Sequence, residues 1–316
     1  MQVTYYGFTL ESENKCVPLS ALFESLAAKS GGEVGAAEGM RIMYVDDQSD
    51  SEFISGLIVT SKDQKSFLKM SAVAGKYKIK STDLTGDDRI MEFNFFVVNK
   101  KNGIGLYQYY RGSCSSVTMG SFLTSEFREL SDASKLIRLQ AADSFVEAKR
   151  GEKNKMIQGI RSGHRKGLVF NILVRAGDVP EILERYKTIV AFDYDIASLE
   201  SISTFARPLQ GLVAKVHQRV RFNDISAKDK IIEGVSGMMS MIVKDTARIT
   251  VLNDEDQPVS VRLVNMPDNF GLHEYDALAA ELDGLDLDDF ASHAVVGYLK
   301  HICKVEYPEV FMADLS

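Results

Sequence analysis

Two apolar runs, Met91–Val98 and Gly103–Tyr110, stand on either side of the segment Asn99-Lys100-Lys101-Asn102-Gly103. Asparagine, lysine and glycine at such a junction mark a turn, so the two runs are expected to pair as an antiparallel hairpin. A lone hairpin is marginal in water and needs further strands or a covering helix. The segments Val3–Phe8, Arg41–Val45 and Ile54–Thr60 supply the strands. Two helices supply the cover. One opens at Pro18-Leu19-Ser20 and runs to about Ala28, with Leu19, Leu22, Phe23 and Leu26 at helical spacing. The other runs from about Val117 to Leu130, with Phe122, Leu123, Phe127 and Leu130 on one face.

After Ser131-Asp132 the pattern changes. A basic, glycine-punctuated stretch from Lys149 to Gly167 leads into the apolar strand Leu168–Val174. A short helix follows from Pro180 to about Tyr186, with proline at the first helical position. Thr188–Tyr194 and Leu212–Phe222 read as strands, Ala227–Val243 as an amphipathic helix, and Arg248–Leu252 with Val259–Val264 as a hairpin. A last helix is expected over about Asp288–Val305. The fold class is therefore α+β: an N-terminal mixed sheet with flanking helices over residues 1–130, and a C-terminal α+β domain over 131–316 that carries the basic segments and the closing helix.

A chain of 316 residues, 45% hydrophobic and 26% charged, has a globular balance and is long enough for two such cores. Its three cysteines, Cys16, Cys114 and Cys303, are odd in number and form neither a disulfide framework nor a zinc-binding spacing. Reduced thiols in a cytoplasmic protein are the expectation. No basic leader followed by an apolar stretch opens the sequence, and no apolar run reaches the roughly 18 residues of a membrane helix. Any association with a membrane would pass through a partner.

The net charge of −7 argues against a uniformly basic nucleic-acid binder. The charges are segregated, however. Acid gathers at Asp254-Glu255-Asp256 and across Glu281–Asp289, and base gathers in the middle. The first basic segment holds Lys149, Arg150, Lys153, Lys155, Arg161, His164, Arg165 and Lys166, interleaved with glycines that allow close backbone approach. Clustered lysine and arginine on such a segment suit contacts to phosphates, which position a protein on DNA without reading its sequence. The competing reading is a solvated loop. In the second segment Lys215, His217, Arg219 and Arg221 alternate, which on a strand puts them on one face, with Ala214, Val216, Val220 and Phe222 on the core face. Cations in a row need an anion along them: either DNA or an acidic segment of the same chain, such as the aspartates around Asp286.

Other residue patterns carry less. Gly112-Ser113-Cys114-Ser115-Ser116 reads as an anion nest or a nucleophile turn, or more simply as a serine N-cap, and Gly-x-Ser-x-Gly spacing is absent. Tyr107, Tyr109 and Arg111 alternate on one strand, as bases stacked on tyrosines or plain sheet packing would require. Glu147-Ala148-Lys149 matches half of a metal-dependent nuclease site, with Asp143 too close in sequence to complete it. The five histidines show no metal-ligand spacing, and no phosphate loop or dinucleotide motif is present. No cofactor, no metal and no catalytic residue are expected.

The order of segments resembles the RexA-like phage exclusion proteins. The likeness begins at Tyr5-Tyr6-Gly7-Phe8 and the Leu19–Leu26 helix and continues through Arg41-Ile42-Met43-Tyr44. It is clearest at Ile104-Gly105, Gly112-Ser113 and Phe122-Leu123, and returns at Val179-Pro180-Glu181-Ile182-Leu183 and the closing hairpin and helix. KwaB, from the Kiwa defence system, is a second similar family of comparable length. The resemblance implies a dimer that binds double-stranded DNA with little sequence preference. It also implies a membrane-protein partner through which phage propagation is stopped. The expected function is thus a non-enzymatic DNA-binding sensor of an anti-phage defence system of the abortive-infection kind. A nuclease effector using Glu147 and Lys149, or a protein-interaction scaffold, is the alternative. An acidic C-terminal segment lying over Lys215, Arg219 and Arg221 would reconcile the net charge with DNA binding. A seam of Val295, Leu299 and Ile302 on the last helix is the candidate dimer contact.

Overall fold

The computed structural model describes residues 1–34, 40–62, 66–73, 76–85, 89–144, 150–175, 179–184, 186–196, 216–222, 227–238, 247–252, 256, 258–264 and 269–313. In chain order, β1 (Gln2–Ser12) is followed by α1 (Leu19–Ala28), β2 (Gly32–Glu33), β3 (Arg41–Asp46) and β4 (Phe53–Lys62). A hairpin of β5 (Ser66–Val73) and β6 (Lys76–Asp83) precedes β7 (Ile90–Asn99) and β8 (Ile104–Tyr109). Two helices follow, α2 (Ser116–Ser144) and α3 (Arg150–Gly163), then β9 (Leu168–Arg175), α4 (Val179–Glu184), β10 (Thr188–Ile196) and β11 (Val216–Arg221). The remainder is α5 (Lys228–Met238), β12 (Arg248–Leu252), β13 (Pro258–Val264), β14 (Leu272–Glu274), α6 (Tyr275–Glu281), α7 (Ala294–His301) and α8 (Pro308–Phe311). The α+β class expected from the sequence is what the chain adopts.

All described strands but two join one 12-stranded mixed sheet, in the order β11-β10-β12-β13-β9-β1-β8-β7-β4-β3-β2, with β14 on β1. The turn after β7 forms as its residues dictate. Asn99 Oδ1 accepts the Lys101 N–H at 2.8 Å, and Gly103 sits at φ +71°, where a Cβ would also lie 2.2 Å from the Leu10 carbonyl. The boundary expected near residue 130 falls inside α2, and β1 pairs with β8 on one side and β9 on the other. Residues from both sequence halves are therefore hydrogen-bonded into one sheet.

Period-two alternation sorts the strand side chains onto two faces. On one face Phe8, Leu10, Met43, Val45, Ile58 and Phe96 meet α1 and the first half of α2. Leu22, Phe23 and Leu26 of α1 are buried there, each contributing about 1.5–3 kcal/mol. Further along the same face, Phe192, Ile249, Val251 and Val261 are covered by α4 and α5 through Leu183, Ile232 and Val235. On the opposite face Val3, Tyr5, Leu57, Phe95 and Leu106 pack under the C-terminal elements, through Leu278, Phe290, Val296, Leu299 and Phe311.

The last segment corrects two expectations. It is a 3-10 turn (Leu287–Ser292), then α7, a π turn (Ile302–Glu306) and α8 rather than one helix. Val295, Leu299 and Ile302 are at most 4% exposed within their own core, so they form no seam for a second copy. Their spacing is that of an amphipathic helix whose apolar stripe closes on its own sheet.

Candidate nucleic-acid interface

The first half of α2 is held by Met119, Leu123 and Phe127, one per turn, against the sheet. Its start is capped by Ser115, whose Oγ accepts the Thr118 N–H at 3.1 Å. The Gly112–Ser116 turn is thus spent on the helix cap, and Cys114 N–H donates to Asn94 Oδ1 at 3.0 Å. Tyr107 is fully buried with its hydroxyl on the Cys114 carbonyl, and Tyr109 packs on Tyr6, so this stripe is sheet packing.

Beyond Leu130 the helix continues for fourteen residues, to Ser144, where the sequence reading stopped at Ser131-Asp132. Ser131 does not end it because its Oγ accepts a hydrogen bond from buried Asn14 at 2.9 Å. This distal half leaves Leu136 and Ile137 exposed and is flanked by α3. The basic stretch, for which a solvated loop was the competing reading, is this helix over most of its length. It runs back antiparallel to α2, since Lys153 Nζ lies 3.1 Å from Asp143 Oδ1 and His164 Nε2 lies 3.3 Å from Ser134 Oγ. Ile157 and Ile160 are half-buried and Gly163 fully so. A Cβ on Gly163 would come within 2.6 Å of Cys16 Sγ, so the glycine lets the β1–α1 loop close on the helix end.

Asn14 fastens that loop. Its Oδ1 accepts the Cys16 and Val17 N–H groups at 2.8 and 3.1 Å, and its Nδ2 donates to Ser131 Oγ and the Lys166 carbonyl. Lys15 N–H donates to the Gly163 carbonyl at 3.1 Å, and Arg138 reaches the Cys16 carbonyl at 3.4 Å. Lys15, Arg138, Arg161 and Arg165 are thereby exposed around one end of the α2–α3 pair, with Lys155 farther along α3. Lys155, Arg161 and Arg165 make no ion pair among the described residues. Lys153 and Lys166 are answered internally, by Asp143 and by Glu13 at 3.1 Å. Arg150 opens α3, while Glu147, Lys149 and Lys215 lie outside the described residues. Lys15, Lys135 and Arg138 were missed from the sequence. The i,i+3 spacing of Lys135 and Arg138 on a longer α2 is the signal that would have found the latter two.

The second basic segment has a different surrounding. His217, Arg219 and Arg221 share a face of β11, as alternation requires, at one edge of the main sheet. Directly opposite Arg219 stands Asp193 of β10, 3.4 Å from its Nε and 3.9 Å from His217 Nε2. Asp193 is also opposite Arg248, and Arg248 is opposite Arg262. Glu11 of β1 binds both of these arginines, Arg262 at 2.9 Å. The row is therefore an alternating ladder across the sheet that supplies its own anions. It lies on the face opposite the one that α2 covers, so the two basic segments do not form one cleft.

The acid at Arg219 is Asp193 and not the C-terminal aspartates. Asp283, Asp286, Asp288 and Asp289 are exposed beside the turn that packs on β3 and β4, anchored by Leu285, Leu287 and Phe290. Eight strand steps separate β4 from β11, roughly 38 Å at about 4.8 Å per step. The acidic segment does not cover Arg219 or Arg221.

Among the described residues no group of three or more histidine, cysteine, aspartate or glutamate side chains could hold a metal ion. No described helix is long and apolar enough to cross a membrane. A groove of about 460 Å³ lies between α2 and the strands β9, β12 and β13, lined by Val117, Gly120, Thr124, Arg128, Phe170 and Ser260 among others. No protein-family model matches the chain, and no curated protein matches it.

Proposed function

We propose that this protein is a non-enzymatic binder of double-stranded DNA that grips the phosphate backbone with the α2–α3 pair. The observation that carries the reading is the trio of Lys155 and Arg161, exposed on α3, and Arg165, exposed in the turn that follows it, unanswered by any acid among the described residues. Cations held on a packed support meet phosphates at little cost in ordering and carry no sequence information. The net charge of −7 keeps this attraction local to the helix pair. Its biological setting, by resemblance to the RexA-like phage exclusion proteins, is a sensor in anti-phage defence acting as a dimer with a membrane-protein partner.

The test is fluorescence anisotropy with two labelled duplexes of unrelated sequence at low salt, followed by incubation of plasmid with Mg²⁺ or Mn²⁺. Comparable affinity for both duplexes and an intact plasmid are the expected results. Cleavage abolished by Glu147→Ala would replace this reading with the nuclease. Absence of binding to either duplex would leave the scaffold.

A further inference from the structure

The groove between α2 and the strands β9, β12 and β13 takes Gly120, Ser121, Thr124, Ser125 and Arg128 from the helix. These positions recur at intervals of three and four, so they share one flank of α2. A helix flank beside a sheet ordinarily carries larger apolar residues. Small and hydroxylated ones leave instead a space of about 460 Å³, within the range of small-molecule sites. At one end a Cβ on Gly120 would lie 2.6 Å from the Phe170 ring, so the helix sits directly on that ring. Arg128 stands about 12 Å further along the helix, at roughly 1.5 Å per residue.

Arg128 is the one charged residue of the lining. It is exposed and makes neither an ion pair nor a hydrogen bond among the described residues. No carboxylate lines the groove, so a cation would find no counter-charge there. Hydroxyls stand between Phe170 and Arg128 on α2, and opposite them on β12 and β13. Ser121 Oγ donates to the Val117 carbonyl at 3.1 Å, Thr124 Oγ1 to the Gly120 carbonyl at 2.7 Å, and Ser260 Oγ to Asn171 Oδ1 at 2.5 Å. Each of the three has spent its only proton and offers lone pairs. Ser125 and Thr250 make no hydrogen bond among the described residues and remain able to donate.

The lining therefore matches a molecule with an anionic head, a middle that donates and accepts hydrogen bonds, and an apolar end. A nucleoside monophosphate has these parts in that order. Its phosphate suits a guanidinium, which can bind two oxygens through parallel N–H bonds. Its sugar hydroxyls suit the serines and threonines, and its base suits Phe170 and the neighbouring Pro258.

We infer that this groove binds a nucleoside monophosphate, with the phosphate on Arg128 and the base against Phe170. The site goes beyond the duplex-binding reading and does not depend on it.

The experiment is isothermal titration calorimetry of the full chain with AMP, adenosine and ribose 5-phosphate, for wild type, Arg128→Gln and Ser121→Leu. AMP should bind wild type more tightly than either fragment. Arg128→Gln should weaken AMP about tenfold or more, the loss of a charge-assisted pair, and leave adenosine unchanged. Ser121→Leu puts an apolar side chain into the groove and should weaken all three. Both positions are exposed, so both variants should melt as wild type does. A wild type that binds no AMP overturns the inference, and so does AMP binding that neither variant weakens. Ribose 5-phosphate binding as tightly as AMP takes the base away from Phe170 and overturns it too. Duplex binding measured on the same proteins separates the two readings. Failure with AMP beside intact duplex binding leaves the proposed function standing, and AMP binding without duplex binding leaves this site standing.

Discussion

Asn14 is a single side chain on which three segments depend. With 7% exposure it satisfies two N–H groups of its own loop and reaches α2 and the start of β9. Asn14→Ala strips those partners in a buried setting and should destabilise the fold by about 2–3 kcal/mol, read as a lower denaturant midpoint at constant m. Asp50 plays a similar part at the other end. Burial opposes its ionisation, yet N–H bonds from Glu52 and Phe53, with Lys300 and Lys304 nearby, bring its pKa to about 2. Because the folded value lies below the unfolded one, the stabilisation is present above about pH 4 and fades as pH falls towards 2. Asp50→Asn should therefore cost on the order of 1–2 kcal/mol at neutral pH, with the gap to wild type closing between about pH 4 and pH 2. Equal stability of the two proteins at neutral pH would contradict this. Such pairings were not readable in advance. The sequence suggested acid for Arg219 at Asp286, but only the register of β10 on β11 brings Asp193 opposite it.

At the scale of elements, apolar patterning located most strands and α1 because burial on one face leaves a period in the residues themselves. It failed where polar chemistry decides. The second half of α2 and all of α3 lack a strong apolar stripe, since they pack mainly on each other, and the glycines and charges of residues 149–167 left a solvated loop as a competing reading. The strands β5 and β6 were likewise not expected from the sequence. The helix α3 makes its own prediction. Arg161→Ser with Arg165→Ser should flatten the salt dependence of DNA binding by about 2 while changing stability by less than about 1 kcal/mol, because both side chains are exposed and make no ion pair among the described residues. A full wild-type slope in this variant would move the interface elsewhere.

The whole molecule is organised by one sheet that the chain enters early and completes late. β1 lies between β8 and β9, and residues 270–311 return to cover the N-terminal strands through Phe270, Phe290, Leu299 and Phe311. A sequential division at residue 130 was a natural reading of the change in composition there, but long-range pairing is invisible to local patterning. A fragment of residues 1–130 would expose Tyr5, Phe95 and Leu106 to water and lose the β9 partner of β1. It should show no cooperative thermal transition by circular dichroism, and a sharp melt of the fragment would contradict a single interdependent sheet.

Alongside this sheet, α3 and the turn after it carry the cations that remain available for an anion, while the sheet's own carboxylates answer Arg219 of β11, Arg248 of β12 and Arg262 of β13. The central claim is that these cations meet DNA phosphates irrespective of sequence. Its most direct measurement is the affinity of the full chain for a mixed-sequence duplex as salt is raised from low values. Engagement of α3 with its neighbours Lys15, Arg138 and Arg165 predicts a linear log–log plot with a slope of about −3 to −5, and the same slope for an unrelated duplex. A flat plot, or no binding at about 50 mM salt, would contradict the account.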